Sequence, residues 1–430
     1  MDYQHSVTLD VVKCKGCTHC LKRCPTEAIR IRDGHAVINA NRCIDCGECI
    51  RLCPHKAKKA SFDKIASMPT DKYKIALPAP TLFGQFVNLD DPDYLIDGLL
   101  KIGFDDVYEV GRAAELVTEY TRRYLKRDDI QLPAISSACP VVVRLVSLRF
   151  PTLVNNLVPI LPPMEIAGML AREKAKKEHP ELKDEDICTV FISPCPAKVS
   201  YAKNNLCGEK SHVDMVVSLS DIYFELLGVL KKVNTPENAS QTGMVGLSWA
   251  SSGGEASSLL NDHYLAADGI ENVIKVLEDI EIESHPNLTF VELNACAGGC
   301  VGGVMSVENP YIARVRLRNI KRYLPVTMNH PLPDDPEKNI PDRYFLEETD
   351  DEYGHVSRYV ENRKDAIKMM QDVEKVFATL PELDCGSCGS PTCRAFAEDV
   401  VKGNASYEDC IAVMREKLHR ADQAEKGEEK

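Results

Sequence analysis

From Tyr73 onward, apolar residues come in short unbroken runs separated by longer stretches with helical spacing. The runs "KIALPA", "DDVYEV", "LPAISS", "ICTVFIS", "MVGLSW" and "LTFVELNA" read as buried strands. Between them lie "DYLIDGLLKIG", "AAELVTEYTRRYLKR", "EIAGMLAREKAKKE", "LSDIYFELLGVLKK" and "ENVIKVLEDI", whose apolar positions recur every three or four residues and predict amphipathic helices. Alternation of strand and helix predicts an α/β core with parallel strands over residues 73–325. In such sheets, sites gather beyond the carboxyl ends of the strands. Three predicted strand ends carry Cys139, Cys195 and Cys296.

Residues 1–66 follow no such alternation. They repeat "CKGCTHCLKRCP" and "CIDCGECIRLCP", with eighteen residues between Cys24 and Cys43. Each half is too short to bury a core, so metal must hold it together. The spacing C-x2-C-x2-C-x3-C-P is the bacterial two-cluster ferredoxin run, in which the fourth cysteine ligates the other cluster. It assigns Cys14, Cys17, Cys20 and Cys53 to one 4Fe-4S cluster, and Cys43, Cys46, Cys49 and Cys24 to a second. Structural zinc more often shows isolated C-x2-C pairs. His19 and His55 read as solvated loop residues. The module is expected to be an α+β ferredoxin-like domain.

The region 326–380 opens with a Pro-rich acidic stretch, "HPLPDDPEKNIPDRYFLEETDDE", read as a belt or linker, with a helix from about 355 to 380. Residues 381–430 carry "LDCGSCGSPTCRAFAEDVVKGNASYEDC". Cys385, Cys388, Cys393 and Cys410 suit another 4Fe-4S cluster in a small, mostly α domain, with zinc as the rival. The block resembles a four-cysteine iron–sulfur domain of corrinoid proteins and of hydrogenase-like sensory proteins.

The bulk numbers narrow the function. A length of 430 residues predicts two to four domains. A net charge of −13 argues against nucleic acid. Residues 1–66 hold twelve Lys/Arg against seven Asp/Glu, which makes them a candidate dock for an acidic partner. The N-terminal segment has no apolar signal core, and no apolar run approaches the roughly eighteen residues of a membrane span. A cytoplasmic location is expected, where clustered cysteines, which make up most of the eighteen, argue for metal over disulfides.

Four cysteines form the central set: Cys139 in "SSACP", Cys195 in "SPCPAK", and Cys296 and Cys300 in "ELNACAGGCVGG". A helical turn would place the last two sulfurs on one side. Gly298, Gly299, Gly302 and Gly303 are expected to let backbone approach a large cofactor. In order and spacing these stretches resemble the three signature motifs of the iron–iron hydrogenases, and the similarity covers about residues 73–320. The resemblance implies two α/β lobes with parallel sheets around a cleft. It implies an H-cluster: a 4Fe-4S cubane joined to a two-iron site with carbon monoxide, cyanide and a bridging dithiolate. It assigns the cubane to Cys139, Cys195, Cys296 and Cys300, with Cys300 bridging, and places Lys198 against a cyanide.

The departures are equally specific. The proton-relay cysteine of the catalytic enzymes is Ala138, and two motif methionines are Ser193 and Asn294. Glu255 and Glu292 are the expected substitute proton carriers. Cys188 and Cys207 are expected to be free thiols, with Cys207 the better candidate for a further role. The resemblance implies an anaerobic, ferredoxin-linked oxidoreductase acting on dihydrogen and protons. Loss of the relay and gain of the C-terminal cysteines match its sensory branches, so slow turnover and dihydrogen sensing through a separate signalling partner are expected. Hydrogenase maturation proteins, a ferredoxin or another acidic redox protein, and a second copy of the chain complete the expected partners. The alternative is a non-catalytic iron–sulfur assembly or electron-transfer protein without the two-iron site.

Overall fold

The computed structural model describes residues 3–208, 210–233, 235–236, 239–283, 287–331, 340–346 and 363–428. Strand Ile187–Ser193 is buried at every position, as a parallel strand covered on both faces must be. It lies between Tyr73–Pro78 and Met215–Ser218, with Asp106–Val107 at the edge beside Tyr73–Pro78, and all four strands are parallel. Its alternate side chains feed two cores. Phe191 packs with Ile75, Leu77 and Tyr120, while Val190 and Ile192 pack with Ala76, Leu82 and Leu226.

A second parallel sheet sets Phe290–Asn294 between Tyr264–Asp268 and Ala134–Ile135. Helices Pro140–Arg149 and Ile270–Glu281 contribute Val142, Leu145, Val273 and Leu277 to the core that covers Val291 and Leu293. The two sheets form the two α/β lobes, and Cys139, Cys195 and Cys296 follow the carboxyl ends of three of their strands.

One local reading changes, and two strands carry no clear signal in the sequence. "MVGLSW" forms helix Met244–Ser248 rather than a strand. Its buried positions, Gly246, Leu247 and Ala250, follow helical spacing, which a six-residue apolar run conceals. Strand Tyr264–Asp268 is half-buried and carries two alanines, so it has little intrinsic strand signal and forms by pairing with Phe290–Asn294. Strand Met215–Ser218 runs directly into helix Leu219–Leu230, whose first turn Ser218 caps by accepting from the Asp221 N–H.

In residues 1–66, Val7–Leu9 pairs with Lys58–Ala60 and Ile29–Arg32 with His35–Ile38, both antiparallel, around the short helices His19–Lys22 and Glu48–Arg51. His19 thus opens a helix rather than lying in a loop. In the belt, the described segment 340–346 lies against the first lobe: Leu161 N–H donates to Tyr344 C=O, and Tyr344 is buried in that lobe's core. The helix expected from about 355 is described only as Arg363–Phe377; its earlier part lies outside the described residues.

The C-terminal block docks on the N-terminal module. Ile31 N–H donates to Gly389 C=O at 2.8 Å. Asp399 accepts from Arg30 Nε at 2.5 Å, Arg32 Nη2 at 2.8 Å and Ser390 Oγ at 2.6 Å. Lys22 Nζ donates to Pro391 C=O, and Arg42 faces Glu398. Four of the basic side chains expected to attract an acidic partner therefore face the chain's own C-terminal block. Among the described residues, no helix is long and apolar enough to cross a membrane.

Candidate functional site

One device holds two of the central cysteines. Cys139 and Cys195 are each the last extended residue before a helix that begins with proline, Pro140–Arg149 and Pro196–Lys203. Proline at the first helical position has the required φ already and removes an N–H that would have no partner. Each sulfur is thereby fixed at a helix start, where backbone N–H groups favour negative charge.

Cys296 and Cys300 meet by a turn, not by the expected helix. Gly299 N–H closes the turn onto Cys296 C=O at 3.0 Å, and Cys300 opens a short 3-10 helix, Cys300–Gly302. Gly298 and Gly299 have φ of +82° and +89°, which stops an α-helix there. A Cβ on Gly299 would lie 2.3 Å from Ser252 N, and one on Gly303 2.3 Å from Pro194 O. At these positions neighbouring protein backbone leaves room only for glycine, and both glycines also line the same cavity as the four cysteines.

Cys139, Cys195, Cys296 and Cys300 line one enclosed cavity, together with Ala138, Lys198, Glu255, Glu292 and Asn294. Burial pushes the Cys195 thiol up to about 12, and nearby Cys139 adds to the rise. Burial also raises Cys296 and Cys300, with the other site cysteines contributing. Thiols that raise one another in this way share a space suited to a soft cationic group. Thiolate-ligated iron fits that donor set. Lys198 opposes the rise at Cys195 and Cys300, and its ammonium stands 5.6 Å from the centre of the Phe191 ring.

The two glutamates sit in unequal surroundings. Glu292 accepts from Gly253 N–H at 2.9 Å, Ala256 N–H at 2.8 Å and Asn294 Nδ2 at 2.7 Å. Glu255 accepts from Ser136 Oγ at 2.6 Å. Burial raises both carboxyls, and the negative charge of Glu292 raises Glu255 further. The donors thus favour charge on Glu292 over Glu255. Asn294 spends its amide on Glu292. Ser193 is fully buried, and its hydroxyl binds the Cys195 backbone at 3.1 and 3.2 Å, bracing that turn. Ala138 lines the cavity, and its N–H donates to Ser136 Oγ at 3.3 Å.

The other thiols fall into separate groups. Cys24, Cys43, Cys46 and Cys49 line one small enclosed space. Cys14, Cys17 and Cys53 all act on Cys20. Lys58, buried and without a hydrogen-bond partner among the described residues, stands between the two groups and opposes the burial-driven rise of both Cys20 and Cys49. In the C-terminal block, Cys388, Cys393 and Cys410 share a small core, and Cys385 and Cys410 act on Cys388.

The groups are contiguous. Cys46 packs in the same core as Cys139 and Cys195, and Arg144 Nε donates to Cys43 C=O at 2.8 Å. On the other side of the N-terminal module, a Cβ on Gly386 would meet Leu21 and Lys22 of the helix that carries Cys20. Cys188 and Cys207 are buried and unpaired. Burial raises the Cys207 thiol, and the adjoining Glu165 carboxylate raises it further.

Sequence reasoning missed Ser136, the partner of Glu255, although it stands two residues before Ala138. It also missed the apolar wall of Val110, Ala114, Pro163 and Trp249. Those residues lie far apart in the chain and carry no motif.

A family model described as "Iron only hydrogenase large subunit, C-terminal domain" matches residues 72–242 and 232–304. A 4Fe-4S dicluster model matches 6–54, and an Fe-S cluster model matches 380–412. The periplasmic Fe hydrogenase large subunit of Nitratidesulfovibrio vulgaris is 32% identical over 216 residues, 46% of this chain and 51% of that protein. Iron hydrogenase 1 of Clostridium pasteurianum is 26% identical over 224 residues, 45% of this chain and 38% of that one. The chain thus spans about half or less of these curated relatives. An apo FeFe-hydrogenase structure from Chlamydomonas reinhardtii superposes with a TM-score of 0.46 at 16% identity, covering 60% of this chain and 86% of that one.

Proposed function

The chain belongs to the iron-only hydrogenase family, and from that premise we propose that it interconverts dihydrogen with protons and electrons, slowly, and serves to sense dihydrogen. The observation that carries this reading is one cavity. It brings Cys139, Cys195, Cys296 and Cys300 together with Lys198, puts Ala138 on the wall, and holds one acid pair, Glu255 and Glu292.

In this reading Cys139, Cys195, Cys296 and Cys300 would hold the H-cluster. When bound, that group supplies the open iron at which dihydrogen is split or formed. The two Cys-Pro helix starts fix the positions of Cys139 and Cys195. Lys198 offers an ammonium to an anionic ligand in a dry site, where a charge-assisted hydrogen bond is strong. The apolar wall around Trp249 and Pro163 excludes water.

Proton handling falls to the glutamates. Ala138 cannot exchange a proton, whereas Glu255 can and lines the same cavity. Glu292 accepts three hydrogen bonds that favour its charge, and that charge raises the neighbouring Glu255 carboxyl.

Cys24, Cys43, Cys46 and Cys49 would hold one 4Fe-4S cluster beside the cavity, and Cys14, Cys17, Cys20 and Cys53 a second, and these clusters would supply electron-transfer chemistry. The docked C-terminal cluster of Cys385, Cys388, Cys393 and Cys410 lies beyond the helix His19–Lys22. We place four iron–sulfur centres in domains 1–66, 73–325 and 381–430, joined by the belt and helix of 326–380, and we place the chain in the cytoplasm of an anaerobic cell. A ferredoxin-type carrier and a separate signalling protein are the proposed partners.

The test is isotope exchange. Anaerobically matured protein under deuterium gas in ordinary water should release HD slowly, and a Cys300→Ala variant should release none. No HD from the parent protein, with all its iron in place, would remove the reading.

A further inference from the structure

Behind the loop that holds Glu292 lies a second cavity, of about 470 Å³. That is within the roughly 300–1,000 Å³ of small-molecule sites. Its outer wall is one face of helix Pro310–Lys321. Arg314, Arg318 and Lys321 stand on that face at i, i+4 and i+7, and all three line the space. The opposite wall is the hydroxyl-rich segment of Ser251, Ser252 and Ser257, and no carboxylate lines the space.

Among the described residues, none of the three cations makes an ion pair. Lys321 Nζ donates to Ser248 Oγ at 2.9 Å. Burial lowers the lysine, and Arg314 lowers it further. Three cations lining one space without a counter-charge repel one another, and an oxyanion between them reverses the sign of that interaction. Arginine forks and serine hydroxyls are the donors that phosphate oxygens take.

We propose that this cavity is a binding seat for a phosphate group, either free or carried on a nucleoside. Tyr311 stands at the mouth on the same helix face, exposed, where an aromatic base can stack. The seat does not depend on the hydrogen reading. Its position gives it a route to the central cavity. Its inner wall includes Gly253, whose N–H holds Glu292, and Ser252, whose N–H donates to Gly298 C=O between Cys296 and Cys300. A phosphate that bridges the helix to this segment braces the anionic member of the glutamate pair; this coupling rests on the hydrogen reading.

The experiment is calorimetric titration of the full chain with inorganic phosphate and, separately, with ADP, repeated for R314Q/R318Q and for K321Q. At least one probe should bind, and its affinity should fall tenfold or more in R314Q/R318Q, with a smaller loss in K321Q. Tighter binding of ADP identifies a nucleoside phosphate, and equal or tighter binding of phosphate identifies the free ion; both support the seat. No binding of either probe, or equal affinity in R314Q/R318Q, would overturn it. In matured protein the bound probe should change HD release. Intact binding with unchanged release would overturn the coupling and leave the seat.

Discussion

Glu255→Gln separates the two glutamates most cleanly. Glu292 accepts three hydrogen bonds and Glu255 one. Each hydrogen bond to a charged group contributes about 1.5–3 kcal/mol. The two extra donors therefore favour charge on Glu292 over Glu255 by roughly 3–6 kcal/mol. Glutamine at 255 can still accept from Ser136, so the fold loses almost nothing there. The proton carrier is gone, and turnover should fall by about 10²–10⁴, the usual range for a general acid or base.

Glu292→Gln behaves differently, because an amide cannot accept from Gly253 and Ala256 on both of its arms. One buried N–H then loses its partner, at about 1–3 kcal/mol. The pH dependence has a fixed sign. Glu255 binds its proton more tightly in the folded than in the unfolded chain. Its contribution is fully present below the ordinary glutamate range and is lost as pH rises through its raised value. The slope is at most about 1.4 kcal/mol per pH unit.

The assays are HD release, the infrared carbonyl band of a protonated carboxyl, and the thermal midpoint against pH. Glu255→Gln should lose the turnover and the band, and flatten the decline in midpoint. Turnover within twofold of the parent, or an unchanged carboxyl band, would refute the assignment.

Three further outcomes follow from the same structure. Asp399→Asn removes the charge between Arg30 and Arg32. It should cost roughly 3 kcal/mol, the low end for a buried pair because the arginines are partly exposed, and it should expose the C-terminal block to limited proteolysis. Gly299→Ala meets both a positive φ and the Ser252 backbone. It should cost about 1–3 kcal/mol or more, seen as a lowered iron-to-protein ratio; normal iron content would contradict the close approach. Ala138→Cys puts a thiol on the cavity wall and should raise turnover about tenfold or more, measured as dihydrogen evolution from a reduced dye, with no rise counting against a missing relay.

Much of the site was legible because its parts are local. Cys-Pro pairs at strand ends announce themselves in sequence, and the buried runs around Ile187–Ser193 and Phe290–Asn294 have no competing reading. What was hidden depends on long-range packing. Tyr264–Asp268 is a strand only because its neighbour pairs with it. Met244–Ser248 is too short for its period to show. The Cys296–Cys300 turn follows from Gly298 and Gly299 having to pass the Ser251–Ser252 backbone, which no spacing rule states. The basic N-terminal residues looked like a free surface until Asp399, far along the chain, was found against them.

The central claim is that the four-cysteine cavity holds a dihydrogen-responsive two-iron site. Infrared spectroscopy of anaerobically matured protein tests it most directly. Carbonyl and cyanide stretches should be present and should shift reversibly when dihydrogen replaces argon. A full complement of iron with no such bands, or bands indifferent to dihydrogen, would contradict the account.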